Sequence, residues 1–342
     1  MATPAKVDWR KFGNYSGPYI APAPACYVLP TGADHLDRAF WLTTCVESGK
    51  GPTALDGGKF GTWNAYDGCA GTGGLHQGIA VYPKEIADPD NNPEDDQGEL
   101  FEMIRQIALA THSDGQYKAK SPVLKYNEDI VALYAAYKAL GWYLAEDGKL
   151  RDLQTGKAIA GKVIRDTFTP LGGATPAKGP RWDQAVQWAK LHRAVFANPL
   201  SYDVQVSFGV NSKARFCTIK RPQLGKISIN AAVYKSTVHE SPGAFSSLGA
   251  HDLAMCVFFS HSVNAPGIAL QKLAVALKQV KGDAQHSKFP ILLIRDLNCK
   301  YGRWDDDIPG GRYQRTRDAA MKLWPRELFE GSQAVMPKDI LD

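Results

Sequence analysis

Glu47 ends an apolar-faced helical pattern, and a glycine-rich polar stretch follows it, running through Gly61-Thr62-Trp63-Asn64-Ala65-Tyr66-Asp67-Gly68 to Gly71-Thr72-Gly73-Gly74-Leu75-His76-Gln77. A carboxyl at a helix end, facing a loop with a second carboxylate and a hydroxyl, is the equipment for breaking a glycosidic bond. Cleavage needs a proton donor for the leaving oxygen, a carboxyl that stays protonated near neutral pH in partly apolar surroundings. Glu47 follows Cys45 and Val46 and lies about one turn past Trp41 and Thr43, and a helix C-terminus is a poor place for an anion. Inverting chemistry adds a second carboxylate that activates water from the far face of the sugar, with the two carboxyls about 6.5–9.5 Å apart. Asp67 leads for that role, with Asp56 in reserve. Tyr66 precedes Asp67 and Gly68 follows it, so the backbone can turn to aim it, and Thr72 offers a hydroxyl to hold the water. Plainer readings stand beside these: a glutamate in a last turn is ordinarily solvated, and Tyr-Asp-Gly is a common turn. Trp63, Tyr66 and Tyr82 are sugar-stacking candidates, though aromatics are as often core residues, and Gln77 is a polar substrate contact. Gly71, Gly73 and Gly74 suit a glycan passing close over the backbone.

These residues need elements to hold them. A helix is expected over 34–47, capped by Asp34, with Leu36, Phe40, Trp41 and Thr44 at helical spacing and Gly49, Gly51 and Pro52 to stop it. Gly78 to Pro83 is a short apolar run that suits a strand or a helix start, and Asp88 to Gln97 is an acidic loop. Apolar i, i+3, i+4 spacing predicts helices over Leu100 to Thr111, Ile130 to Leu144 and Trp182 to Phe196, with 155–181 a linker before the last. Residues 202–235 alternate as strands do, which predicts a small antiparallel sheet or hairpin set. Helices return over Ala250 to Ser260, Gly267 to Lys281 and Arg312 to Leu323, where Pro325 stops the last.

The composition, 342 residues with 44% hydrophobic and 22% charged, is that of a globular chain able to bury a large core. A net charge of +5 favours an anionic polymer but is too small to imply nucleic acid, and no Lys/Arg-rich cluster or stacking motif supports that partner. No apolar run approaches the length that crosses a bilayer, and the N-terminal residues lack the apolar core of a secretory signal. The expectation is therefore no membrane insertion and synthesis in the cytoplasm. Cys26, Cys45, Cys69, Cys217, Cys256 and Cys299 form no Cys-x-x-Cys pair, so buried thiols are favoured over a metal knuckle or disulfide framework. His239-Glu240, His251-x-Asp and His261 match no metal spacing, and Ser260-His261-Ser262 lacks the glycines of a nucleophile elbow. The Asp305-Asp306-Asp307 run lacks the spacing of an EF-hand.

The arrangement resembles the lysozyme-like glycoside hydrolase superfamily, which includes goose-type lysozymes, soluble lytic transglycosylases, chitosanases and phage endolysins. Glu47-Ser48 at a helix end resembles the catalytic Glu-Ser of the transglycosylases, and Gly74-Leu75-His76-Gln77 resembles their Gly-Leu-Met-Gln turn, with His76 in place of Met. Asp67 and Thr72 resemble the Asp and Thr that position water in inverting chitosanases. Val263-Asn264-Ala265-Pro266-Gly267 with Ala269-Leu270-Gln271 is similar to the Val-Asn-x-Gly and Ala-x-x-Leu-Gln pattern of phage-type muramidases, and Gly311 to Arg315 with Leu323-Trp324 to their closing Arg-rich helix.

The resemblance implies an α+β fold, mainly α-helical, lysozyme-like and two-lobed, with a small antiparallel β-sheet. It covers about residues 30–330, with 34–330 as the catalytic domain, 331–342 as a tail and 155–235 either an inserted lobe or a separate targeting domain; residues 1–33, rich in Pro, Gly, Ala and Tyr and without a period, read as an extended arm. It implies a muramidase acting on peptidoglycan glycan strands without a cofactor, with Glu47 as general acid, Asp67 as general base, Thr72 orienting water, and Gln77 with Tyr82 or Trp63 contacting substrate. The interval between Glu47 and the Gly-Leu-His-Gln turn is longer than in transglycosylases, which favours a water-using, inverting hydrolase. A lytic transglycosylase, a chitosanase-like enzyme, and a non-catalytic glycan-binding or virion structural protein are the alternatives. Delivery to the wall would come through phage lysis, a virion or an injection-type secretion system, with an immunity or inhibitor protein as a further partner.

Overall fold

A computed structural model describes residues 25–47, 57–64, 72–75, 78–81, 97–111, 127–168, 180–214, 249–264, 266–281, 286–298 and 312–325. The fold is α+β: mostly helical, with small antiparallel sheets. It divides into two compact units, one of residues 59–208 with 1–25, the other of 26–58 with 209–342.

In the unit built from 26–58 and 209–342, α1 (His35–Glu47) starts with a reciprocal capping box. Asp34 Oδ1 accepts from the Asp37 N–H at 2.9 Å and Asp37 Oδ2 from the Asp34 N–H at 3.2 Å, so two donors that the helix leaves orphaned are satisfied. Residues 39–46 are buried without interruption, as befits a helix surrounded by others. The two hydroxyls in that run, Thr43 and Thr44, donate back to the Ala39 and Trp41 carbonyls at 2.7 and 2.8 Å. The other helices are α7 (Gly249–Asn264), α8 (Pro266–Gln279), α9 (Phe289–Asn298) and α10 (Arg312–Leu323). α7 packs against α1, α8 and α9, and α10 packs against α1. Tyr27 is buried in this unit, and its N–H donates to the Gly58 carbonyl at 2.8 Å.

The unit of 59–208 begins with a three-stranded antiparallel sheet, β1 (Trp63–Asn64), β2 (Thr72–Gly73) and β3 (Gly78–Ile79), with β2 in the centre. The register pairs Trp63 with Gly73, Asn64 with Thr72, and Thr72 with Ile79. Then come α2 (Leu100–Thr111), α3 (Glu128–Ala139), a hairpin of β4 (Trp142–Leu144) and β5 (Leu150–Asp152), α4 (Gly161–Phe168) and α5 (Pro180–Ala197). A short 3-10 turn, Pro199–Ser201, leads into α6 (Tyr202–Ala214), within which the boundary between the units falls. Trp63, Phe101, Ile104, Tyr137, Phe168 and Phe196 belong to one apolar cluster.

Three expectations need correction. Residues 202–214 are helical, not strand-like: the buried positions are Ser201, Gln205 and Gly209, a spacing of four that the apolar alternation of Val204, Val206 and Phe208 conceals. The helix expected over Ile130 to Leu144 ends at Ala139, because Gly141 takes φ +78° and lets Trp142–Leu144 turn back as a strand. The linker 155–181 contains α4, whose buried Gly161, Ile164 and Phe168 supply a helical face too short to stand out among Lys, Thr and Gly. The remaining expected strands of 202–235 lie outside the described residues.

Candidate functional site

Glu47 closes α1 and is partly exposed, directly after the buried run of 39–46. No basic side chain lies in the last turn of α1. Asp67, Tyr66, Gln77 and Tyr82, with the reserve residue Asp56, lie outside the described residues. Thr72 opens the central strand β2, its backbone flanked by Asn64 and Ile79.

Trp63, expected as a sugar-stacking residue, lies in the core. It is 1% exposed, and its indole lies parallel to the imidazole of His192, with 4.2 Å between ring centroids and 15° between planes. Phe196 covers it at 6.5 Å. An aromatic at this position is core because β1 lays it on α5, and the glycines opposite give it room: Trp63 pairs with Gly73, where any side chain would meet these rings.

The turn after β2 is tightly built. Gly74 takes φ +65°, its N–H donates to the Thr62 carbonyl at 2.9 Å, and the Thr62 hydroxyl donates to the Gly74 carbonyl at 2.9 Å. A Cβ on Gly73 would collide with the Phe196 ring and lie 2.8 Å from Cε3 of Trp63. Gly73→Ala is therefore expected to cost about 1–3 kcal/mol by overpacking, read as a lower urea midpoint at unchanged m-value. A glycine kept only to clear a passing glycan would tolerate alanine at unchanged midpoint.

Two buried polar residues of this unit carry no motif that sequence reasoning could seize on. His192, on α5, is fully buried; its Nδ1 lies 2.7 Å from the Trp188 carbonyl and its Nε2 2.9 Å from the Tyr137 hydroxyl. A carbonyl only accepts, so Nδ1 carries the proton and Nε2 accepts from Tyr137. Burial pulls the imidazole down to about 4 from its ordinary 6.5, against the opposing pull of the Trp188 carbonyl. Burial likewise holds the Tyr137 hydroxyl well above its ordinary range. Gln205, on α6, is also fully buried. The signal that could have found both is a lone polar residue at a position that helical spacing assigns to the core: His192 is four residues from Trp188 and from Phe196, and Gln205 four from Ser201.

Among the described residues no group of His, Cys, Asp and Glu is placed to hold a metal ion. Cys26, Cys45 and Cys256 carry thiols, the last two buried. None of the helices described is long and apolar enough to cross a membrane. Comparison with known proteins finds no matching family model, no matching curated protein and no matching solved structure.

Proposed function

We propose that this protein is a peptidoglycan hydrolase with a lysozyme-like fold, a muramidase that cleaves β-1,4 glycosidic bonds with inversion. Glu47 protonates the leaving oxygen, Asp67 takes a proton from the attacking water, Thr72 orients that water, and Gln77, Tyr66 and Tyr82 contact the glycan. The observation that carries this reading is the neighbourhood of α1. Three segments that resemble lysozyme-like hydrolases are far apart in the chain, yet α7, ending in Val263-Asn264, and α10, starting at Arg312, both pack against the helix that Glu47 closes. Packing against two helices supports a rigid mount for the acid, which acid catalysis requires of its donor.

The test is a turbidity assay on purified walls of several chemotypes with wild type, Glu47→Gln and Asp67→Asn. Wild type is expected to clear at least one wall type, and Glu47→Gln to be about a hundredfold slower, the lower end of what a general acid supplies. Clearing by Glu47→Gln at the full rate removes Glu47 from the mechanism. Mass spectrometry of the products separates hydrolysis, with free reducing ends, from transglycosylation, with 1,6-anhydro ends. Binding to walls without clearing would assign the chain to the glycan-binding alternative.

A further inference from the structure

Gln205 uses both ends of its amide. Nε2 donates to the Phe196 carbonyl at 2.8 Å and to the Ser201 hydroxyl at 2.8 Å, while Oε1 accepts from the backbone N–H of Leu75 at 2.8 Å. The Ser201 hydroxyl sends its own proton to the Asn198 carbonyl at 2.7 Å, so toward Gln205 it can only accept. The orientation of the amide is thereby fixed: two acceptors face Nε2, and a donor faces Oε1. Thr62 ties the Gly74 turn to the sheet's own edge, whereas Gln205 reaches it from α6, 130 positions away in the chain. The fit is close, since a Cβ on Gly74 would sit 2.5 Å from Oε1.

We propose that Gln205 is a positioning residue: it holds the Gly74-Leu75 turn, and through the pairing of β2 the backbone of Thr72, in the one arrangement in which the glycine-rich segment meets substrate. The kinetic part of this inference rests on the hydrolase reading; the part that concerns the turn does not. Gln205 touches no reacting atom and acts only through the backbone it fixes.

Two substitutions in the full chain separate the outcomes. Gln205→Leu removes the acceptor. Gln205→Glu keeps the shape and the acceptor but, when ionised, sets a carboxylate against the Phe196 carbonyl; only the protonated form can donate there. A carboxyl buried among acceptors takes up its proton above the ordinary carboxylate range. Amide exchange at Leu75 is therefore expected to run about tenfold faster than wild type in Gln205→Leu at every pH, the loss of one buried hydrogen bond. In Gln205→Glu it is expected to be fast at about pH 8 and to return toward the wild-type rate as pH falls to about 5.5, each value taken as a ratio to wild type at the same pH. On walls that the wild type clears, kcat follows the same pattern and KM changes less than about twofold, the mark of an effect on the reacting geometry.

Wild-type exchange at Leu75 in Gln205→Leu, or no recovery on acidification of Gln205→Glu, overturns the role of Gln205 at the turn. Faster exchange with unchanged kcat overturns its positioning role in catalysis. A wild type that clears no wall removes the hydrolase reading and the kinetic part with it, while exchange alone decides the turn. If Gln205→Leu does not fold, the pH series of Gln205→Glu carries the same decision.

Discussion

Replacing Trp63 with alanine is expected to destabilise the 59–208 unit by about 3–5 kcal/mol, the range for removing a large aromatic from a packed core. For a unit of this size that is a fall of roughly 10 °C in its Tm. The indole is 1% exposed and lies against His192 and Phe196, and its N–H has no hydrogen-bond partner among the described residues, so the loss is one of packing alone. The cavity cannot close easily, because Trp63 is held at the sheet by its pairing with Gly73 and the facing rings belong to α5. Trp63→Phe, which refills part of the space with another flat ring, is expected to recover more than half of the lost stability. Thermal melts followed by near-UV circular dichroism make the measurement. The sugar-stacking role predicts a different pattern, a raised KM for glycan at unchanged Tm, and that pattern would return Trp63 to the substrate site.

The case of Trp63 shows where the sequence stops being informative. An aromatic in a glycine-rich polar stretch looks exposed, because its neighbours along the chain are what a loop contains; what buries it is α5, 129 positions later at His192 and then Phe196. The elements with strong local signals were legible. Asp34 before an apolar run marked the start of α1, and the boundaries of α2 and α10 coincide with the apolar spacing that predicts them. α6 was not legible, since its buried positions include Gln205 and Gly209 and its exposed or half-buried ones include Val204, Val206 and Phe208. Periodicity reads hydrophobicity, and here the fully buried positions are polar or bare while Val204 and Phe208 pack on the core only half-buried.

The same limit applies to the candidate site. Glu47 is expected at a helix end from its own surroundings, and it is there. The packing of α7 and α10 on that helix was not legible, because no local pattern says which helices touch. His192 and Gln205 carry no motif at all. Each is a polar residue in an apolar setting whose partners, Tyr137 for one and Leu75 for the other, are set by tertiary structure. A rule that asks which buried position a polar residue must occupy would have flagged both; a rule that looks for recognised spacings could not.

His192 also predicts how the fold responds to acid. Its ring is sealed by Trp63, Phe168 and Trp188, the last two at 5.2 and 6.2 Å, and the titratable group that faces it is Tyr137. Protonation would put a charge where no carboxylate among the described residues acts on the ring, and would turn Nε2 into a donor, taking from the Tyr137 hydroxyl the acceptor of its proton. The folded pKa, about 4, lies below the ordinary 6.5 of the unfolded chain, so between those values the unfolded state binds more protons. Stability is therefore complete above about pH 6.5 and falls as pH drops toward 4, by about 3 kcal/mol in all, since each tenfold loss of proton affinity on folding corresponds to about 1.4 kcal/mol. The carboxylates titrate lower. Asp147 is held below its ordinary range by a hydrogen bond from Arg151 and Asp152 by the Thr155 N–H, while Glu102, against the opposing desolvation, is held below its range by hydrogen bonds from Arg105 and Gln106, so what they contribute is lost only below about pH 5, at the acid edge of the imidazole's window. Amide exchange along α5, at Leu191 and Ala194, measured at several pH values, is expected to show protection falling from about pH 6.5 to 4.5 in the wild type. In His192→Gln the slope in that window should vanish, whatever the variant's absolute stability. A wild type whose α5 protection stays flat over the same window would mean that the imidazole finds an acceptor on protonation, and that the aromatic box opens without cost.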